Sequence, residues 1–263
     1  QFSLEDSDYI IVGESCGDYL SWSMSGAGDV DGDGLDDIAI GAERDDDGGG
    51  NAGAAYVFLG SSLGTIQELD GSDADYKFVG ESGGDRAGIS VSITGDVDSD
   101  GLDDVLIGAW LDNNSAGTDA GAGYLILGSS LGSASTIDLS QADYKFVGED
   151  AYDYLGYTSS IVGDVDGDGA DDLVFSAAYR DSNGPNSGST YLIRGGNLGS
   201  SSTVYMSSAD AELVGESSSD YCGLVGVGGD MNGDGYSDVV IGAYNDDDGG
   251  TDAGAAYIVL GGE

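Results

Sequence analysis

The sequence predicts an all-β protein, a β-propeller of four four-stranded blades. First, the string GDVDGDGLDD at 28–37 returns with small changes at 95–104, 163–172 and 229–238, so that one unit repeats through the chain of 263 residues. Second, short β-branched and aromatic runs alternate with Gly, Asp and Ser clusters, and no segment keeps a helical period. Third, the two ends of the chain carry complementary parts of the repeat.

Each unit is predicted to contain four strands, which in the first unit cover 20–27, 37–42, 54–60 and 75–80. The second strand reads DIAIGA, DVLIGA, DLVFSA and DVVIGA in the four units, and such continuous apolar runs are typical of central strands buried on both faces. The third reads GAAYVFLG, GAGYLILG, GSTYLIRG and GAAYIVLG, and the fourth reads DYKFVGE twice and AELVGE once.

The ends of the repeat array predict a closed ring. The fourth unit has no fourth strand, whereas DYIIVGE at 8–14, ahead of the first unit, matches DYKFVGE. A ring completed by this N-terminal strand would leave no free sheet edge. The predicted blades of the single domain 1–263 are 20–80, 87–148, 155–215 and 223–261 plus 8–14. A monomer is favoured, and an eight-blade ring of two chains, a domain swap and an open solenoid stay open as alternatives.

The charge of the chain excludes several functions. Asp and Glu number 50 against 6 Lys and Arg, with no His and a formal net charge of -44. We expect no nucleic-acid partner, because phosphate binding requires clustered basic residues. No mechanism based on imidazole is available. No apolar run approaches the roughly 20 residues of a membrane-spanning helix, so we expect no membrane insertion.

The aspartate string is predicted to bind a hard cation. Alternate carboxylates can turn inward, the fixed Gly permits the bend, one carbonyl adds a ligand, and the ninth position closes the loop, which suits the oxygen-only coordination of Ca²⁺. The predicted ligands are Asp29, Asp31, Asp33, Leu35 and Asp37; Asp96, Asp98, Asp100, Leu102 and Asp104; Asp164, Asp166, Asp168, Ala170 and Asp172; and Asp230, Asn232, Asp234, Tyr236 and Asp238.

About four Ca²⁺ ions per chain are therefore expected, with the fourth site weaker because Asn232 replaces one carboxylate. Ordinary Asp-Gly turns would not explain four copies in one register. An EF-hand would need Glu at loop position 12, where this chain has Ile40, Ile107, Phe175 and Ile241. Without metal the crowded carboxylates repel one another, so Ca²⁺ is expected to be a folding cofactor.

With these loops, the chain resembles the FG-GAP repeats of integrin α-subunit propellers and their bacterial relatives. The Phe-Gly start of the family repeat appears here as Leu20-Ser21, Ala87-Gly88, Leu155-Gly156 and Cys222-Gly223, and its Gly-Ala-Pro loses the Pro in every copy. The resemblance implies an extracellular, secreted or cell-surface module for adhesion or ligand binding, with calcium on the face opposite to the ligand. Family propellers usually have seven blades, whereas this chain has material for four.

The strand order places the second-to-third and fourth-to-first connections on the face opposite the calcium loops. Their Arg and aromatic residues are candidates for binding a protein or glycan ligand, since such side chains dominate binding hot spots and stack on sugars. The alternative is that the aromatics cover the ring and the Arg residues pair with surplus Asp. The candidates are Tyr19, Arg44, Arg86, Trp110, Tyr154, Tyr179, Arg180, Tyr221 and Tyr244.

Three functions compete at this point. The favoured one is a non-catalytic, calcium-stabilised ligand-binding module, lectin-like if the ligand is a glycan. A structural spacer and a polysaccharide-cleaving enzyme are the others; the enzyme would need a carboxyl pair with one raised pKa, and the sequence nominates none. Cys16 and Cys222 are either free thiols or one bridge, and a bridge between them would staple the predicted ring closure.

Overall fold

The computed structural model describes residues 7–64 and 68–262, and within them the chain is all-β. None of the helical turns in this part of the chain is long and apolar enough to cross a membrane. The strands are β1 (Ile10–Val12), β2 (Leu20–Gly28), β3 (Asp37–Ala42), β4 (Ala54–Phe58), β5 (Glu68–Asp70), β6 (Tyr76–Val79), β7 (Ala87–Ser92), β8 (Val105–Ala109), β9 (Ala122–Ile126), β10 (Thr136–Asp138), β11 (Tyr144–Val147), β12 (Ser159–Gly163), β13 (Asp172–Ala177), β14 (Ser189–Ile193), β15 (Thr203–Tyr205), β16 (Ala211–Val214), β17 (Cys222–Gly229), β18 (Asp238–Ala243) and β19 (Ala255–Val259).

The strands form successive antiparallel sheets, in agreement with the predicted repeat. Sheet 1 contains β2, β3, β4 and β6, sheet 2 contains β7, β8, β9 and β11, sheet 3 contains β12, β13, β14 and β16, and sheet 4 contains β17, β18 and β19. The predicted strands of the first unit are confirmed to within two residues at their ends. This arrangement is consistent with a β-propeller domain.

The sequence did not reveal three short strands that join neighbouring sheets. Each lies between the third and fourth strands of a unit: β10 pairs in parallel with β6, β15 pairs in parallel with β11, and β5 pairs in parallel with β1. Three residues are too few to show a periodic pattern, and parallel pairing across a sheet boundary depends on the packed neighbour.

The apolar core lies between adjacent sheets. Alternate residues of one strand point to opposite neighbours, so Ile107 of β8 packs with Val57 of sheet 1 while Leu106 packs with Phe175 of sheet 3. The predicted burial of the second strands on both faces is thereby confirmed for β8 and β13. Gly41 and Gly108 are required where strands meet, because a Cβ at either would collide with the carbonyl of Gly88 or Gly156.

The predicted closure of the ring by the N-terminal strand is wrong in this structure. Among the described residues β1 pairs with β5 of the first unit and not with β19 of sheet 4. It pairs with the short strand of the first unit in the same way that β6 pairs with β10, the short strand of the second unit. Closing four sheets into a ring would bring sheet 4 against sheet 1, and no strand pairing joins these two sheets in the part of the chain that the structure describes.

The first strands of the four sheets, β2, β7, β12 and β17, are here called the inner strands, and they supply a local reason why sheet 4 is not joined to sheet 1. Ser23, Ser90 and Thr158 each donate a side-chain hydrogen bond to a carbonyl of the next inner strand, at 2.8, 3.0 and 2.8 Å. The corresponding position of sheet 4, opposite Gly242, is Leu224, which has no hydroxyl. The bond that ties successive inner strands together is therefore not available from sheet 4.

Both cysteines are free. Cys16 is exposed, and Cys222 is buried at the start of sheet 4, where burial raises the pKa of its thiol to about 11. The proposed bridge relied on the N-terminal strand completing sheet 4, so it has no support without that closure.

Candidate metal centres and aromatic surface

The four aspartate loops are turns organised around their first carboxylate. In the loop between β2 and β3, Asp29 accepts hydrogen bonds from the amides of Gly32, Asp33 and Gly34 at 2.8, 3.0 and 2.9 Å. Gly34 has a positive φ of 85°, which explains the fixed Gly. Asp96, Asp164 and Asp230 accept hydrogen bonds from amides of their own loops in the same manner.

The ninth-position carboxylates close each loop from inside the protein. Asp104 accepts the Val97 amide at 2.7 Å and the Gly128 amide at 2.8 Å. The residue is fully buried, and burial raises the pKa of Asp104 to about 7. Burial likewise raises the pKa of Asp172 to about 6 and increases the pKa of Asp37. In the part of the chain that the structure describes, no Lys or Arg forms an ion pair with Asp37, Asp104 or Asp172, so a bound cation could supply their counter-charge.

Three loops bring their carboxylates together. Each cluster contains three carboxylates, and one oxygen of each carboxylate lies within 4.8 Å of the other two. The clusters are Asp29, Asp31 and Asp33; Asp96, Asp98 and Asp104; and Asp164, Asp166 and Asp172. Asp37, Asp100 and Asp168 lie in the same loops. The carbonyls of Leu35, Leu102, Ala170 and Tyr236 are predicted ligands, and the amide of each donates a hydrogen bond to the third predicted ligand of its loop. These oxygen-only donor sets fit Ca²⁺.

Two loops differ from the others. In the fourth, the Asn232 amide group donates to Asp234 at 2.8 Å, so a predicted ligand is engaged with its neighbour. The loop keeps the Asp230 turn, and Asp238 is buried. In the third loop the Arg194 guanidinium lies 3.1 Å from Asp166, and a cation bound there would compete with it.

Sequence reasoning missed a set of contacts that connects the loops. The Asp103 carboxylate accepts the Asp29 amide of the preceding loop at 2.7 Å, and Asp171 accepts the Asp96 amide at 3.0 Å. At this position the fourth loop has Ser237, which keeps only a backbone bond to Asp164, at 2.8 Å. The signal was the Asp-Asp doublet of the first three loops, which becomes Ser-Asp in the fourth.

At the opposite end of the strands, aromatic rings of sheets 2, 3 and 4 form a continuous row, here called the aromatic arc. Neighbouring ring centroids lie 5.3 Å apart for Trp110 and Tyr154, 4.9 Å for Tyr154 and Tyr179, 5.1 Å for Tyr179 and Tyr221, and 5.2 Å for Tyr221 and Tyr244. Tyr152 and Tyr157 extend the row by contacts with Tyr154 and Trp110. Five of the nine predicted ligand-face residues are therefore brought together.

One residue that precedes the first strand of each unit has a left-handed backbone in all four units. The φ angles are 59° for Tyr19, 57° for Arg86, 56° for Tyr154 and 51° for Tyr221. This conformation is unfavourable for residues with a Cβ and is usually met by Gly or Asn. Large side chains are kept at a strained position, and such strain commonly marks functional surfaces.

The four remaining predicted ligand-face residues lie apart from the arc. Arg44 stacks on Tyr19 in sheet 1, with the guanidinium 4.2 Å from the ring centroid. Arg86 bonds to Glu43 at 3.1 Å. Arg180 is enclosed by carboxylates, with Asp153 at 2.8 Å and Glu212 at 3.1 Å.

The surroundings of Arg180 are an inverted copy of an ion pair in sheets 1 and 2. Asp112 occupies the equivalent position in sheet 2 and lies 3.1 Å from Lys145 of β11. In sheet 3 the loop residue is Arg180 and the strand residue opposite it is Glu212, so both charges are exchanged. Arg180 therefore stabilises sheet 3, in agreement with the alternative that the Arg residues pair with surplus acidic residues.

Comparisons with known proteins agree with the repeat. The FG-GAP repeat family model matches residues 22–58 and 223–259. Integrin alpha-PS2 of Drosophila melanogaster is 32% identical over 237 residues, covering 87% of this chain and 15% of that protein. Integrin alpha-5 of Xenopus laevis is 28% identical over the same share of this chain. Phosphatidylinositol-glycan-specific phospholipase D of Bos taurus is 30% identical over 64% of the chain and 20% of that protein. The chain thus spans about 15–20% of these relatives.

Proposed function

The chain is an FG-GAP repeat protein similar to integrin alpha subunits, and on that premise we propose that it is a calcium-stabilised, non-catalytic module that binds a protein or glycan ligand outside the cell. The observation that carries the proposal is the division of the molecule into two ends. The aspartate loops occupy one end of the strands, and the aromatic arc occupies the other.

Calcium would supply positive charge to loops that are rich in carboxylates. When bound it would neutralise the repulsion among Asp96, Asp98 and Asp104 and hold each turn between two strands. Because Asp103 and Asp171 join each loop to the preceding one, order in one loop would be passed to its neighbours. We therefore expect calcium to stabilise the array as a whole.

The aromatic arc is the proposed ligand surface. Its rings are partly exposed rather than buried, and they belong to three different sheets, so they are held by the packed strands rather than by one flexible loop. Rigid aromatic side chains provide contact area at low entropic cost, and their faces stack on apolar or sugar surfaces. The acidic surroundings favour a neutral or cationic ligand over an anionic one.

The calcium part is tested by calorimetric titration of Ca²⁺ into protein stripped with EGTA. Binding at about four sites, the fourth weaker, with a large rise in melting temperature, is expected. Asp104→Asn should remove one site, and Asp138→Asn, in β10 away from the loops, is the matched control. Absence of binding, with the stripped protein fully stable, would contradict the proposal.

The ligand part is tested on the calcium-loaded protein with immobilised glycans and extracellular-matrix proteins. Any captured ligand should be lost on Tyr179→Ala and Tyr221→Ala and kept on Tyr205→Ala, an exposed tyrosine of β15 outside the arc. A ligand that tolerates both arc variants would place binding elsewhere. Calcium binding without any ligand would favour the spacer role, and polysaccharide hydrolysis would favour an enzyme.

A further inference from the structure

Arg194 is a positive charge at the aspartate-loop end of the molecule. The chain has 6 Lys and Arg residues, and each forms an ion pair with a carboxylate among the described residues. Arg194 is the one whose partner belongs to an aspartate loop. Its Nη1 lies 3.1 Å from Oδ2 of Asp166, a member of the carboxylate cluster of the third loop. The third loop therefore has a counter-charge from the chain itself.

The other units have leucine at the position of Arg194. The residue follows the third strand of its sheet, and it is Leu59, Leu127 and Leu260 in the first, second and fourth units. The backbone is held alike in the first three units, because the amide donates to an aspartate 16 residues later at 2.8, 2.9 and 2.8 Å. Leu59 and Leu127 pack against the apolar core. Unit 3 thus exchanges an apolar contact for a charge at an otherwise equal position.

The first three loops are equal in their own charge. The segments 28–37, 95–104 and 163–172 each contain five aspartates and no Lys or Arg. In the part of the chain that the structure describes, no Lys or Arg pairs with an aspartate of the first or second loop. Because a nearby opposite charge relieves repulsion among carboxylates, the third loop needs calcium less than the first two do.

The guanidinium of Arg194 is held loosely enough to be displaced. Its side chain is 40% exposed, and its buried Nε has no hydrogen-bond acceptor among the described residues. Arg180 provides the contrast, because its side chain is 13% exposed and donates hydrogen bonds to Glu149, Asp153 and Glu212. An unmade hydrogen bond and an open path to solvent lower the cost of moving Arg194 out of the loop.

We propose that Arg194 is the internal counter-ion of the third loop, which keeps its turn without calcium and binds calcium only when the guanidinium leaves. The inference rests on the proposed binding of calcium by the aspartate loops. A guanidinium beside Asp166 and a calcium ion in the same cluster repel each other, so the two compete. If the guanidinium occupies the loop in about nine of ten molecules, the apparent calcium affinity falls about tenfold.

A third loop that needs no calcium would preserve the middle of the array when calcium is scarce. Its Asp171 carboxylate accepts the Asp96 amide of the second loop at 3.0 Å, and its Asp164 carbonyl accepts the Ser237 amide of the fourth loop at 2.8 Å. The loop is therefore bonded to a neighbour on either side. Loops 1 and 2 are expected to bind calcium tightly, and loops 3 and 4 more weakly.

The proposal is tested by amide hydrogen exchange with mass spectrometry on the full chain, in EGTA and over a series of Ca²⁺ concentrations. The segments 163–172 and 95–104 are compared, since their turn amides donate to Asp164 and Asp96 respectively. In EGTA the segment 163–172 should exchange at least several-fold more slowly than 95–104. Its calcium midpoint, the concentration that gives half of the further protection, should be about tenfold higher.

Two reciprocal substitutions and a control isolate the guanidinium. Arg194→Leu should remove the extra protection of 163–172 in EGTA and lower its calcium midpoint about tenfold. Leu127→Arg should transfer both properties to 95–104. Asn113→Asp lowers the net charge by one, as Arg194→Leu does, but lies in the β8–β9 connection and introduces the residue of the first and fourth units, Asp46 and Asp247. It should leave both midpoints unchanged.

Three results would overturn the proposal. The first is equal exchange of the two segments in EGTA. The second is a calcium midpoint of 163–172 that stays or rises on Arg194→Leu, which would mean that Arg194 supports Asp166 as a ligand. The third is a folded Leu127→Arg variant with an unchanged midpoint at 95–104. A lack of any calcium response at 95–104 in the wild type would contradict the calcium proposal instead, and the comparison in EGTA, which needs no metal, would still decide whether Arg194 holds the third loop.

Discussion

Sheets 2 and 4 have nearly the same sequence in their third strands and opposite environments. The β9 segment AGYLI is buried throughout, whereas the β19 segment AAYIV is buried at none of its positions. Sheet 2 has β11 beside β9 and packs against sheets 1 and 3, while sheet 4 has one packed neighbour and no fourth strand among the described residues. The comparison shows that the local sequence selects a strand, and that the flanking sheets decide its burial and its contribution to stability.

The buried polar groups are also paired more completely in sheet 2 than in sheet 4. In sheet 2 the Tyr124 hydroxyl donates to Asp112 at 2.8 Å, and Lys145 neutralises Asp112 and Glu81 at 3.1 and 2.7 Å. In sheet 4 the Tyr257 hydroxyl donates to Asp246 at 2.9 Å, and Glu216 and Asp248 lie beside it. Within the described residues no Lys or Arg pairs with these three carboxylates. In sheets 1 and 2 this lysine lies on the fourth strand, which sheet 4 does not have among the described residues.

The largest contrast is expected in the core. Leu125→Ala in sheet 2 should lower the free energy of unfolding by about 2–5 kcal/mol, because it opens a cavity at a fully buried site. Ile258→Ala, at the equivalent position of sheet 4, should change it by about 0.5 kcal/mol or less in dilute protein. Urea denaturation of calcium-loaded protein measures both. A loss above about 2 kcal/mol for Ile258→Ala would mean that β19 is covered.

Removing the half-buried cation of sheet 2 is expected to have the next largest effect. Lys145→Met should lower stability by about 3 kcal/mol, because Asp112, 2% exposed at its side chain, would be left without a counter-charge. Adding Asp112→Asn to Lys145→Met should recover much of the loss, which distinguishes the charge from lost packing. Equal stability of the single and double variants would contradict the ion-pair explanation.

A pH-dependent difference is expected at Asp85, which is also buried in sheet 2. Burial and the neighbouring Asp112 raise the pKa of Asp85 to about 7, so the folded protein binds a proton there that the unfolded chain releases. The carboxylate therefore costs no stability below about pH 4, and the cost grows until about pH 7. Asp85→Asn should match the wild type at low pH and exceed it by about 2 kcal/mol at pH 8. Denaturation curves at several pH values measure this, and a constant difference would contradict it.

The smallest effect concerns the connections between the calcium loops. Asp103→Ser gives the second loop the residue found in the fourth and should cost about 1–2 kcal/mol, because the Asp29 amide loses a charged acceptor. The reverse change, Ser237→Asp, should stabilise the fourth loop by about 1 kcal/mol or less and tighten its calcium site. Thermal melts at fixed calcium compare the two. Asp103→Ser should lower the melting temperature and Ser237→Asp should raise it. A change in the same direction for both variants would contradict the role of the carboxylate that connects neighbouring loops.

Some features were predictable because they depend on nearby residues. The strands of each unit and the turns around Asp29, Asp96, Asp164 and Asp230 follow from local patterns that four copies make unambiguous. Other features depended on contacts between units. The short strands β5, β10 and β15 and the carboxylate bridges of Asp103 and Asp171 are defined only by the neighbouring unit. The residues of the arc were nominated from the strand order, but their ring-to-ring contacts required the packed sheets.

By itself, the sequence determined the all-β repeat, the oxygen-only character of the aspartate loops and the side of the sheets on which the aromatic residues lie, because strand alternation and turn chemistry act within a few residues. The tertiary structure decided that the sheets do not close, that β1 pairs with β5, and that Arg180 serves an ion pair. The open boundary depends on the rotation between neighbouring sheets, which no single repeat specifies. The two contacts depend on residues that are distant in the sequence and meet only in the folded chain.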